Sequence, residues 1–207
     1  MAMGRKQSNP AELHVYDPEW PRQAQRRLDV VRERLADIPG AADARYDHIG
    51  STAVPGLAAK PNLDLQIRIL PLPADDALSE RLGDLGYVRA RGARPDSPGV
   101  YRDIPRGSEV VDDAVWEKSI FVHRPDRVIV HVRRSDSPWG RYAVWFRDWL
   151  RAHPGQRDRY EATKRRLSEE NAGKDDYDVY TRAKTEFFDE VQAEFERWAH
   201  RTRDAEG

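Results

Sequence analysis

A chain of 207 residues, 39% hydrophobic and 34% charged, is long enough to bury a core and suits one domain, or one domain with a helical appendage. Its 35 Lys and Arg stand against 36 Asp and Glu, a formal net charge of −1, so no global field favours DNA or RNA and any basic site must be local. The absence of cysteine excludes disulfides and thiolate metal sites, and no apolar run approaches the roughly 18 residues that span a membrane.

Residues 1–10 carry no hydrophobic signal core and read as a disordered lead, which makes a cytoplasmic location the expectation. Asp17-Pro18 is a helix-start signal, with Asp as N-cap and Pro in the first helical position. Trp20, Ala24, Leu28, Val31 and Leu35 follow at helical spacing, towards a stop near Pro39-Gly40. A short strand over 45–49 then runs into Gly50-Ser51, and residues 51–59 form a short helix broken by Pro55-Gly56. From Asn62 to Leu70 the pattern alternates, with Leu63, Leu65, Ile67 and Ile69 on one face and Asn62, Asp64, Gln66 and Arg68 on the other, which is a half-buried strand.

A second helix is expected over 74–85, a strand over 87–91 and a Gly-, Pro- and Arg-rich loop over 92–99. Strands over 116–123 and 128–134 are joined by a turn at 123–127. Helices near 138–152, 155–171 and 175–200 complete the chain, before a flexible tail over 201–207. The layout is α+β. One domain spans residues 11–200, with a small mixed or antiparallel sheet core over 41–134, flanked by helices, and a helical C-terminal third over 138–200.

The chemistry concentrates between residues 48 and 66. Gly50 lets the backbone turn sharply and a ligand approach the main chain. Ser51 and Thr52 set hydroxyls and amides at a helix start, which suits an anion such as phosphate and equally suits an ordinary N-cap. Asp64 and Gln66 share the polar face of the following strand, so both can reach one ion, or simply face solvent. Lys60 lies between turn and strand and is either a phosphate partner or a surface lysine.

The run from His48-Ile-Gly-Ser-Thr to Asp64-Leu-Gln66 resembles the signature of the GrpB family. Looser likeness extends over His131-Val132, Phe146 to Pro154, and the Tyr-x-x-x-Lys pairs Tyr160–Lys164 and Tyr180–Lys184. The resemblance implies a nucleotidyltransferase-like fold, in a family whose domain also occurs fused to dephospho-coenzyme A kinase. In that superfamily's pattern a Gly-Ser turn precedes a strand with two acids, and a third acid follows on a later strand. Here Gln66 stands where the second acid belongs and His131 where the third is expected.

The resemblance therefore implies Mg²⁺ on Asp64, with Gln66 and His131 assisting, and phosphate oxygens on Ser51, Thr52 and the amides after Gly50. Lys60, Lys118, Arg133, Lys164 and Lys184 are the candidate phosphate cations, and Tyr160 and Tyr180 candidate partners of a base. His48 is expected to hold the turn by a hydrogen bond, Glu117, Asp112 and Asp113 are the nearest substitutes for the missing acids, and Trp139, Trp145, Phe146 and Trp149 are expected in the core. The implied activity is transfer of a nucleotidyl or phosphoryl group from a nucleoside triphosphate to a small-molecule acceptor. The rival is a degenerate nucleotide- or coenzyme-binding module, with nucleic acid disfavoured by the charge.

Overall fold

The computed structural model describes residues 12–91, 99–106, 109–170 and 177–204, with backbone alone for 177–185, 203 and 204. The expected lead over 1–10, all of the 92–99 loop but Gly99, and the last three tail residues lie outside these.

Helix α1 (Trp20–Arg34) buries Trp20, Ala24, Leu28 and Val31, the stripe that the spacing anticipates. It starts later than the Asp17-Pro18 signal suggests. The Asp17 carboxylate accepts the Glu19 N–H at 2.8 Å and its carbonyl accepts that of Trp20, so Asp17 closes a turn before the helix and Pro21 sits in the first helical turn. The helix also stops earlier than expected, because Leu35 leaves helical geometry at φ −101°. A tight turn through Ile38 then delivers the chain to β1 (Arg45–Ile49).

The sheet order is β1-β2-β5-β4-β3, where β2 is Leu63–Ile69, β3 Val88–Arg89, β4 Lys118–His123 and β5 Val128–Arg134. β2 and β5 run parallel and the other pairs antiparallel, so the sheet is mixed. Leu63, Leu65, Ile67 and Ile69 are all buried against α1 and α2 (Asp75–Gly83). β3 is shorter than the 87–91 expectation, and β4 begins at Lys118 because Asp113–Trp116 form a 3-10 turn capped by Asp112.

The opposite face of β2 is not a solvent face. Helix α3 (Pro138–Ala152) lies across it, the side chain of Arg68 packs against Gly140, and Gln66 is fully buried. α4 (Pro154–Glu170) and α5 (Tyr177–Asp204) complete this layer, and α5 continues into the stretch expected as tail. Tyr142, Trp149 and Leu150 of α3, Tyr160 of α4 and Phe195 of α5 make the second core. An aromatic side chain buried in this way removes more than 150 Å² from water, which is what fixes the helices on the sheet. Among the described residues no helix is long and apolar enough to cross a membrane.

Candidate functional site

Residues 51–53 form a single 3-10 turn where a helix over 51–59 was expected, because Val54 turns extended ahead of Pro55-Gly56. One such turn carries little of a helix dipole. What the turn does instead is close over Asp64. Ile49 is the register partner of Asp64, and Gly50 follows it at φ 73°, ψ −171°. A Cβ on Gly50 would lie 2.6 Å from Asp64 Oδ2.

The turn is pinned from below. Thr52 is buried and donates its hydroxyl proton to the Asn62 carbonyl at 3.1 Å. His48 Nε2 lies 3.0 Å from the same hydroxyl oxygen. With the hydroxyl proton committed, His48 carries its own proton on Nε2 and donates it. The Thr52 hydroxyl, expected to meet phosphate, is thus a brace. Burial pushes the His48 pKa down to about 4, against the pull of Asp64 and with help from Arg151 and Arg147.

Asp64 and His131 meet on the floor of a cavity of about 340 Å³. Nε2 of His131 lies 3.6 Å from Asp64 Oδ1. Burial lowers the His131 pKa to about 4, a hydrogen bond from the ring to Asp64 opposes this, and Arg133 and Lys118 add to the lowering, so the ring is neutral at ordinary pH.

Gln66 does not join them. Its Nε2 donates to the Gly140 carbonyl at 3.0 Å and its Oε1 accepts from Arg133 Nη1 at 2.8 Å. Arg133 in turn donates to both oxygens of Asp103 at 2.7 and 3.1 Å, and Lys118 binds the same carboxylate. Burial alone would raise the Asp103 pKa, but Arg133 and Lys118 outweigh it and hold the carboxyl near 2. Burial and Arg133 bring Lys118 down to about 8 despite Asp103. Lys118 is therefore spent on a buried ion cluster beneath the cavity, whereas Arg133 reaches its wall.

Of the residues anticipated from sequence, Gly50, Ser51, Asp64, His131, Arg133 and Tyr160 line this cavity. Lys60 is half-buried before β2 and does not. Lys164 is buried, donates to the Ala58 carbonyl and lies 5.0 Å from the Tyr160 ring centre. Together with Glu161, which accepts the Ala58 N–H at 2.8 Å, it clamps the loop behind the turn to α4. The side chains of Tyr180 and Lys184 lie outside the described residues.

Sequence reasoning missed Arg106 and Arg147, and gave Trp139 and Phe146 to the core. All four line the cavity with Ala143 and Phe188. Arg106 lies 4.6 Å from the ring centres of both Trp139 and Phe188 and is ion-paired with Asp189 at 2.6 Å. Arg147 donates to the His48 carbonyl at 2.9 Å and pairs with Asp148. For Arg147 a signal existed, a cation inside the aromatic run from Trp145 to Trp149.

The acids suggested as substitutes are elsewhere. Asp112 caps its turn, Asp113 pairs with Arg102, and Glu117 is exposed. Among the described residues no group of three or more His, Asp or Glu is placed to hold a metal. Asp64 is the sole carboxylate among the described lining residues, so a cation there would need its other ligands from a bound phosphate and water. The imidazole of His131 and the averted amide of Gln66 do not fit a second.

A Gly-Ser turn folded over a strand carboxylate, on a mixed sheet with helices across the carboxylate's face, makes an α+β domain with its candidate site at that turn. The chain belongs to the GrpB family, described as GrpB protein, which matches residues 10–194. A dephospho-CoA kinase from Mycolicibacterium paratuberculosis is 37% identical over 202 residues, 93% of this chain and 48% of that protein. A UPF0157 protein from Pseudomonas aeruginosa is 34% identical over 178 residues, 84% of this chain and 63% of that one. The conserved protein GrpB from Enterococcus faecalis has the same fold, with a TM-score of 0.61 at 21% identity over 87% of this chain and 99% of that one. The chain spans about half the length of the dephospho-CoA kinase it matches.

Proposed function

We propose that this chain binds a nucleoside triphosphate in the cavity over Asp64 and transfers a nucleotidyl or phosphoryl group from it to a small acceptor, in the cytoplasm. The observation that carries the reading is the Asp64–His131 pair, 3.6 Å apart on the floor of a cavity also lined by Arg106, Arg133 and Arg147. Phosphoryl chemistry asks for held anionic charge and for removal of an acceptor proton. Arg133, fixed by Asp103 and Gln66, is the rigid cation. His131, neutral through burial, orients the Asp64 carboxylate with its Nε2–H, and the acceptor hydroxyl releases its proton to water. The acceptor oxygen bonds to phosphorus while the bond to the departing phosphate oxygen breaks and leaves its electron pair there. Trp139, Phe146 and Tyr160 offer flat apolar surface to a base. One Mg²⁺, held by Asp64 and the nucleotide's phosphates, would supply charge neutralisation. The mycobacterial relative named dephospho-CoA kinase, of which this chain spans about half, sets such a domain beside phosphoryl chemistry in one chain.

The test is label transfer. The protein is incubated with Mg²⁺, α- or γ-labelled nucleoside triphosphates and a small-molecule extract. A new labelled product is expected, and Asp64→Ala abolishes it. An active preparation that keeps its full rate after that change refutes the mechanism. Gln66, turned away to Gly140 and Arg133, leaves a single acid at the site and favours the second reading, a binding module without transfer. Tight, Mg²⁺-independent nucleotide binding with no product on prolonged incubation selects that reading.

A further inference from the structure

The row of paired residues that contains Asp64 continues beyond the cavity. Asp64 pairs with Ile129, Ile129 with Val122, and Val122 with Val88. Directly opposed residues point to the same side of a sheet, so these four side chains form one line across β2, β5, β4 and β3. At about 5 Å per strand, Val88 lies roughly 15 Å from Asp64. Ile129 and Val122 are only partly buried, and Val88 is 64% exposed.

This apolar row floors a second cleft of about 660 Å³, rimmed by Asn62, Arg91, Arg124 and Arg127. Ile129 on the cleft floor is the register partner of Asp64 on the cavity floor, so the two sites lie one strand apart on the same face of the sheet. Arg124 and Arg127 stand on the turn between β4 and β5, and among the described residues neither has a carboxylate partner. Asp126, between them, is paired with Arg27. Arg127 holds φ at 53°, where glycine or asparagine is the usual occupant. A strained position thus carries a long cation aimed over an apolar floor.

We infer that this cleft is the acceptor site, and that the acceptor is a small phosphorylated molecule with a flat apolar part. Its role as acceptor site rests on the transferase reading. Its ligand chemistry comes from the cleft alone: Val88, Val122 and Ile129 take a ring, and the arginines take a phosphate. The floor leads such a ligand towards Asp64 and His131, where its oxygen forms the new bond to phosphorus. A long nucleic acid suits the site poorly, since four arginines, one of them paired with Asp75, on a chain of net charge −1 offer little counterion release.

AMP serves as the probe, titrated by calorimetry into the whole chain already saturated with Mg²⁺ and a non-hydrolysable ATP analogue. The variant is Arg124→Ser with Arg127→Gly, and glycine suits the φ of residue 127, so the fold is kept. AMP affinity is expected to fall about tenfold or more in the variant while that of the ATP analogue stays unchanged. Equal AMP affinity in parent and variant overturns the proposal. So does a short single-stranded RNA that binds the cleft more tightly than AMP at physiological salt. If the analogue fails to bind but AMP still depends on the two arginines, the reading of the Asp64 cavity and the acceptor role fall, and the cleft stands as a site for a phosphorylated ligand.

Discussion

Gly50 and Asp64 occupy one another's space. The backbone of Gly50, at φ 73° and ψ −171°, lies in a region essentially reserved for glycine, and a Cβ there would come within 2.6 Å of Asp64 Oδ2. The glycine therefore sets where the carboxylate sits as well as how the chain turns. Gly50→Ala is expected to cost about 1–3 kcal/mol of stability through the backbone alone. It should also push Asp64 off the cavity floor and lower Mg²⁺-nucleotide affinity about tenfold. Urea denaturation and calorimetry on one preparation check both, and an alanine variant with parental affinity would separate the turn from the site.

Gln66→Glu tests whether the missing acid can be restored. Because Gln66 donates to the Gly140 carbonyl and accepts from Arg133, a carboxylate there faces a carbonyl oxygen on one side and a guanidinium on the other. It points away from Asp64. The substitution is expected to destabilise the fold by about 1–3 kcal/mol and to add no Mg²⁺ affinity. A clear gain in Mg²⁺ binding would mean that the side chain turns into the cavity.

These two residues also mark how far the sequence could be read. The alternation of β2 places Asp64 and Gln66 on one face and the strand forms as expected, since period two follows from backbone geometry alone. Alternation cannot tell that α3 covers that face, so Gln66 reads as a polar surface residue although it is fully buried. The same ignorance of tertiary cover hides Asp103, which lies in an aperiodic stretch yet anchors Arg133 and Lys118. The burial of Lys164 is legible in the sequence. Tyr160, Lys164 and Leu167 form the buried stripe of α4, and a lysine in step with such a stripe is a buried one. The parallel pairing of β2 with β5, which brings His131 beside Asp64, leaves no mark in either strand's own pattern.

Removing the anchor should be costly. Asp103→Ala leaves Lys118 and Arg133 buried without their carboxylate, at an expected cost of about 3–5 kcal/mol. Asp103→Asn, which keeps shape and one acceptor, should be milder. Denaturant midpoints of the two variants give the order. If Asp103→Ala unfolds at the parental midpoint, the cluster is not a stabilising element of this fold.

Acid should weaken the fold through the histidines. The folded pKa of His48 is about 4 against 6.5 for a free side chain. Between those values the unfolded chain binds the extra proton, so stability is fully present above about 6.5 and is lost as pH falls towards 4. His131, depressed to about 4 by the same burial, acts in the same direction. The combined loss between about pH 7 and about pH 5 is expected to be on the order of 4 kcal/mol, about half from each histidine. A His48→Gln variant should lose part of this slope while keeping a donor for the Thr52 hydroxyl. Nitrogen NMR should report His48 as the neutral Nε2–H form at mildly acidic pH, because the Thr52 proton is already given to the Asn62 carbonyl. A His48 that titrates near 6.5 in the folded protein would show that the brace beneath the turn is open to water.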